Sequence, residues 1–254
     1  MLKYAELWYA TKQEVCVLVF KEINVPSTKT MFINEVENTI LSGALKAGDK
    51  LPTERELAEQ MNVPRSVVNA GLSDLEHKGF VRVIPRRGTV VTDYMRFGNL
   101  ETLSAIRDFN GGCFDRRTFE SIMDFCMLCE PHCAYLAARN RGEENLREME
   151  EMCRKREEAE TLREAVHYRY CFEKAVYYAT NNTIYPLIYN SFEAVGQSFA
   201  ETVFKTMGAN RTGIGMRELL EAIHARDAER ARTIKAETDR TIAEVLRGSY
   251  VFRE

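Results

Sequence analysis

Apolar positions recur every three or four residues through Phe32, Ile33, Val36, Ile40 and Leu41, which predicts an amphipathic helix. A shorter helix follows Pro52. Thr53 and Glu56 stand three apart, the spacing at which each side chain bonds the other's backbone N–H, and Leu57, Ala58 and Met61 share the inner face. Asn62-Val63-Pro64 ends it. Pro64 suits the first turn of a third helix, where its missing N–H is not needed, and Val67, Val68, Leu72 and Leu75 return at helical spacing until Lys78-Gly79 stops them. The pattern then turns to strand. Phe80 to Ile84 and Gly88 to Thr92 are short and β-branched, and Pro85-Arg86-Arg87-Gly88 closes a hairpin between them. Three helices and a hairpin in this order predict a winged helix-turn-helix over residues 29–93, whose expected partner is double-stranded DNA.

Downstream of a linker at 94–98 the periodicity is helical throughout. Leu100, Leu103 and Ile106 mark one short helix, ended by Asn110-Gly111-Gly112, and further helices are expected over 116–140, 143–159, 161–180, 183–206, 212–224 and 227–247. Ala228, Ala231, Ile234, Thr238, Ile242 and Val245 trace the inner stripe expected of the last one. The predicted fold is therefore mainly α: the winged helix-turn-helix, then an all-α bundle of six or seven helices over 99–250. Residues 1–28 form an extension with no legible role, and Pro26-Ser27 reads as an entry turn.

A chain of 254 residues has room for two cored domains. No apolar run approaches the ~18 residues of a membrane span, and Lys3, Glu6, Lys12 and Glu14 interrupt the first stretch, so neither a membrane nor an export signal is expected. Seven cysteines, an odd number, fit reduced thiols, and the cytoplasm is the expected compartment. The net charge of −3 is compatible with DNA binding because Arg55, Arg65, Lys78, Arg82, Arg86 and Arg87 all fall within the reading head, and a few cations near phosphates decide affinity. His77, His132, His167 and His224 belong to no recognisable catalytic motif, so no enzyme is expected. Cys126, Cys129, His132 and Cys133 do not make a zinc site on one helix: Cys126 and Cys133 would lie about 10 Å apart along the axis, too far to share a metal at ~2.3 Å. They are expected to be packed side chains.

The run I-L-S-G-A-L-K-A-G-D-K-L-P-T-E-R-E-L-A from Ile40, followed by R-S-V-V-N-A-G-L, L-E-H-K-G-F-V and R-R-G-T, resembles the GntR family of bacterial transcription regulators. N-L-E-T-L at Asn99, L-C-E-P-H-C-A-Y-L-A-A at Leu128, A-T-N-N-T-I-Y at Ala179 and A-I-H-A-R-D at Ala222 resemble that family's FadR subgroup. The resemblance implies a homodimer on a palindromic operator, with an effector site in the bundle. Arg55, Arg65, Ser66 and Asn69 are then expected at the major groove, and the wing residues Arg86, Arg87, Gly88 and Thr89 at phosphates or the minor groove.

In that subgroup the bundle commonly holds a metal on one Asp and three His. Carried over residue by residue, those positions fall on Arg169, Glu173, Met216 and Thr238, and an arginine that commonly meets an effector carboxylate falls on Cys126. No metal and no cofactor are therefore expected. An acyl-coenzyme A effector is not implied either, because Ala236-Glu237-Thr238-Asp239-Arg240-Thr241 replaces a glycine- and tryptophan-containing stretch. The expected effector is a carboxylate or other organic anion near Cys126, Arg169, Glu173 and Thr238, with Arg169 as its clamp. Alternatives are a structural Arg169–Glu173 salt bridge, an effector-independent or architectural DNA-binding protein, and a metal-dependent sensor using Glu173.

Overall fold

The structure, a computed structural model, describes residues 26–208, 213–250 and 252. The extension expected at the N-terminus lies outside the described residues up to position 25.

Local signals start and stop the elements of the N-terminal domain. The Ser27 hydroxyl accepts from the Thr30 N–H and caps α1 (Thr28–Leu41). Thr53 and Glu56 form the expected reciprocal cap of α2 (Glu54–Gln60), and Pro64 stands just outside α3 (Arg65–His77), at the cap rather than inside the first turn. Strands β1 (Val81–Ile84) and β2 (Gly88–Val91) pair antiparallel with Val81 opposite Val91 and Ile84 opposite Gly88. Phe32, Ile33, Val36, Ile40, Leu57, Val68, Leu72 and Leu75 are buried together, so the helical periodicity placed this core correctly.

The segment expected as a linker is one helical turn, α4 (Tyr94–Phe97), and it is fastened to the reading head. Gly79 has a φ of +75°, and a Cβ there would stand 2.1 Å from the Phe97 carbonyl oxygen, so only glycine permits this approach. In α5 (Leu100–Phe109), the Thr102 hydroxyl donates to the Lys78 carbonyl at 2.7 Å and the Asn99 cap donates to the His77 carbonyl at 2.8 Å. Ala105 is buried in the DNA-domain core, while Leu103 and Ile106 pack on the bundle. Thus α5, expected to belong to the C-terminal domain, bridges both.

The bundle consists of α6 (Arg116–Asn140), α7 (Glu143–Glu158), α8 (Leu162–Ala179), α9 (Tyr185–Ser191), α10 (Glu193–Met207), α11 (Met216–His224) and α12 (Ala228–Ser249). The single helix expected over 183–206 is broken at Phe192, which ends α9 and begins α10. No Pro or Gly marks that position; the Phe192 ring stacks on Phe125 with centroids 5.4 Å apart, a tertiary contact that local pattern does not encode. The A-I-H-A-R-D motif is a corner. Arg226 takes a φ of +57° and donates to the carbonyls of Arg139 and Arg141, while Asp227 caps α12. Buried Arg141 donates to the His224 carbonyl at 2.8 Å and satisfies the exposed end of α11.

Around α12 the residues expected on the inner stripe, Ala228, Ala231, Ile234, Thr238, Ile242 and Val245, are buried or pack against the apolar clusters, and the buried face extends further to Lys235, Asp239, Ala243 and Leu246. The two charged residues are buried because partners on α6 and α8 meet them. Two apolar clusters fill the bundle, one around Phe172, Met149 and Ile223 and the other around Phe119, Phe199 and Leu246.

Candidate DNA interface and effector cavity

On α3 the face opposite the core carries Arg65, Ser66 and Asn69, all exposed, while Val68, Leu72 and Leu75 hold the helix from behind. Pro64 provides no side-chain cap, so the first N–H groups of α3 are available beside Arg65. Arg65 lies 3.6 Å from Glu54, and Arg55 lies 3.6 Å from Glu59. Both are exposed pairs, weak enough to be exchanged for contacts to nucleic acid.

At the wing, Arg86 sits at the tip with a φ of +64° and Gly88 follows at +97°, so Arg86 and Arg87 project from a tight turn into solvent. Thr89 departs from expectation. Its side chain is buried at 7 % exposure, because residue 89 falls on the inner face of β2 and its carbonyl accepts from the Leu51 N–H at 2.9 Å. Its side chain is therefore not available to DNA. Lys50, absent from the expected set, is exposed beside the wing and bridges to Val90; a Cβ at Gly88 would lie 2.8 Å from its Cε. Its neighbourhood to the hairpin arises from chain pairing, which residue spacing does not reveal.

In the bundle a cavity of about 150 Å³ lies among α6, α8, α9, α10 and α12, with Cys126, Arg169 and Glu173 on its wall. Thr238 is not on that wall. It is turned about 100° from Asp239 around α12 and packs on Gly215, where a Cβ would stand 2.1 Å from its Oγ1. Met216 is likewise a core residue. The residues of α12 that do face the cavity are Lys235 and Asp239.

Lys235 organises the polar end. Its Nζ contacts Glu130, lies 2.6 Å from Asp239 and 3.3 Å from Glu173, and Arg169 lies 3.4 Å from the same Glu173 oxygen. Burial works against the Lys235 charge, but the three surrounding carboxylates outweigh it and hold the pKa well above the ordinary lysine value. Burial also opposes the Glu130 charge, yet Lys235 keeps Glu130 below the usual carboxylate range. Asp239 goes the other way: burial, with Glu130 and Glu173 nearby, outweighs Lys235 and pushes it up to about 8. Cys126 is strongly raised by burial and remains a neutral thiol. The clamp expected of Arg169 is already engaged with Glu173, and acids outnumber bases at this end of the cavity.

Residues 29–91 match the family described as bacterial regulatory proteins, gntR family, and residues 121–238 match the FCD domain. The chain belongs to the GntR family. It is 27% identical over 199 residues to the HTH-type transcriptional regulator Mce2R of Mycobacterium tuberculosis, covering 78% of this chain and 82% of the relative. An uncharacterized HTH-type transcriptional regulator of Bacillus subtilis, YcbG, is 29% identical over 128 residues, covering 50% of this chain and 52% of the relative. In fold, a solved structure of Lar, described as controlling the Listeria monocytogenes agr system, aligns with a TM-score of 0.62 at 16% identity, covering 89% of this chain and 99% of that one.

These matches make the protein a DNA-binding GntR/FCD transcription regulator and not an enzyme. The metal-binding pattern of FCD relatives does not fit the side chains present. The carboxylates of Glu130, Glu173 and Asp239 converge on the Lys235 ammonium, and a guanidinium stands at the expected aspartate position. No helix among the described residues is long and apolar enough to cross a membrane.

Proposed function

We propose that this regulator binds a palindromic operator as a homodimer and that a small organic molecule in the bundle cavity sets its occupancy. The observation that carries the reading is the exposed Arg65–Ser66–Asn69 face on a helix whose other face is locked into a core. A helix so held can enter the major groove, where Arg65 suits guanine and Asn69 suits adenine. Arg86, Arg87 and Lys50 flank it as phosphate or minor-groove contacts.

Support for ligand response comes from α5. It bonds the end of α3 through Thr102 and Asn99 and packs Leu103 and Ile106 on the bundle, so a change in the bundle has a packed route to the reading helix. The cavity favours this reading over an effector-independent architectural protein, for which a filled core is expected. A homodimer is supported by Leu128, Ile184 and Leu187, large apolar side chains exposed on α6 and around α9.

Selection of duplexes from a random-sequence pool by the full chain, followed by sedimentation of the complex, tests this. An inverted repeat bound by two protomers is the expected result; an asymmetric site bound by one protomer would overturn the dimeric reading.

A further inference from the structure

The polar end of the cavity has an excess of acceptors. Among the described residues the carboxyl groups of Glu130, Glu173 and Asp239 form their ion pairs with Lys235 and Arg169, three acids to two cations. Glu173 and Asp239 are each only 7 % exposed, and each has one carboxylate oxygen, Oε2 and Oδ2 respectively, without a hydrogen-bond partner. With all three ionised the group would carry one uncompensated negative charge; the free site meets this by keeping the Asp239 proton, and the Glu173 oxygen is a buried acceptor left without a donor, which is costly. An incoming carboxylate would add acceptors and like charge at the place where donors are short. A primary ammonium brings three donors and a positive charge that can replace the proton held on Asp239.

The rest of the wall is apolar and aromatic. Phe192 and Phe199 line it, and the stacked Phe125–Phe192 pair offers ring faces of the kind that attract cations. A cavity of about 150 Å³ is the size that holds a benzene-sized body in other protein interiors. Gly196 lines the cavity yet is exposed, and a Cβ built there meets nothing within 4 Å, which makes it an open rim on α10.

We propose that this cavity binds a small hydrophobic primary amine, with its ammonium donating to the unpartnered oxygens of Glu173 and Asp239 and its body against the aromatic wall. The inference rests on the reading of the cavity as an effector site and adds the chemical class of the occupant.

Calorimetric titration of the full chain with benzylamine, benzyl alcohol and benzoate, three ligands of one shape and different head group, tests it. Benzylamine is expected to bind at least tenfold more tightly than either comparator. Gly196→Leu, which fills the rim and leaves the charge cluster intact, and Glu173→Gln should each weaken it at least tenfold; a cooperative melt of each variant establishes folding. Should Glu173→Gln fail to fold, Gly196→Leu alone decides whether binding is in the cavity. Benzoate binding as tightly as the amine, benzylamine failing to bind at millimolar concentration, or amine binding indifferent to Gly196→Leu would each overturn the proposal.

The same ligands added to an operator-binding assay separate this inference from the regulatory reading. If benzylamine binds in the cavity and operator affinity does not change, ligand control by this class fails while the assignment of the cavity stands. If benzoate binds and shifts operator affinity, the amine class fails and ligand control stands.

Discussion

The reading head and the cavity both depend on charged side chains, but in opposite circumstances. In the reading head Arg55 and Arg65 are paired at 3.6 Å, in water, with acids that can be exchanged for other partners. In the cavity Lys235 is 3% exposed and held by three carboxylates at once. Weakly committed charges suit a surface that must take up DNA phosphates and bases. Strongly committed ones set what a closed site will accept, because every uncompensated charge there is costly.

The sharpest way to break this comparison is to remove one partner on each side. Lys235→Met leaves Glu130, Glu173 and Asp239 buried without their ammonium and is expected to cost about 3–5 kcal/mol in denaturant unfolding. Glu54→Gln, which removes the partner of Arg65, should cost less than about 1 kcal/mol. Similar losses for the two variants would erase the distinction.

Asp239 gives a pH test of the same contrast. Its folded pKa is raised to about 8 by burial and by Glu130 and Glu173, well above its ordinary value of 3.8. The folded state therefore holds this proton more firmly than the unfolded chain, and the associated stability is lost as pH rises through about 8. The contribution of this group to the melting temperature should fall between about pH 4 and about pH 8 and level off above, and Asp239→Asn, which stays neutral, should flatten that fall. An unchanged slope in the variant would assign the effect elsewhere.

The wing should show a smaller effect, and on binding rather than folding. Arg86→Ala with Arg87→Ala is expected to weaken specific and non-specific DNA binding together, by about tenfold at moderate salt, and to make the salt dependence shallower by about two charges. Loss confined to the specific sequence would mean that the wing reads bases.

These differences also explain what could be read in the sequence. The N-terminal domain was legible because its signals are local: the Thr53–Glu56 cap, Pro64 before α3, and the Arg86 to Gly88 turn each act within four residues. Thr89 was misplaced because its neighbours turn outward while the strand alternation directs it to the core. The cavity was half legible. Arg169 and Glu173 stand four apart on one helix and were found as a pair, but Lys235 and Asp239 were not singled out, because the same four-residue spacing is equally that of a solvated ion pair. Only the arrival of Glu130 and Glu173 from other helices makes them interior residues. That is tertiary information, and it moved the α12 contribution from Thr238 to Lys235 and Asp239.

Arg65→Ala tests most directly whether α3 is the element that reads DNA. Affinity of wild type and variant should be measured by fluorescence anisotropy for a pool-selected operator and a scrambled duplex at one salt concentration. The expected result is a loss of about 1–3 kcal/mol for the operator with little change for the scrambled duplex, because a base contact specifies while phosphate contacts hold. Equal operator affinity in wild type and variant, or equal losses on both duplexes, would contradict it.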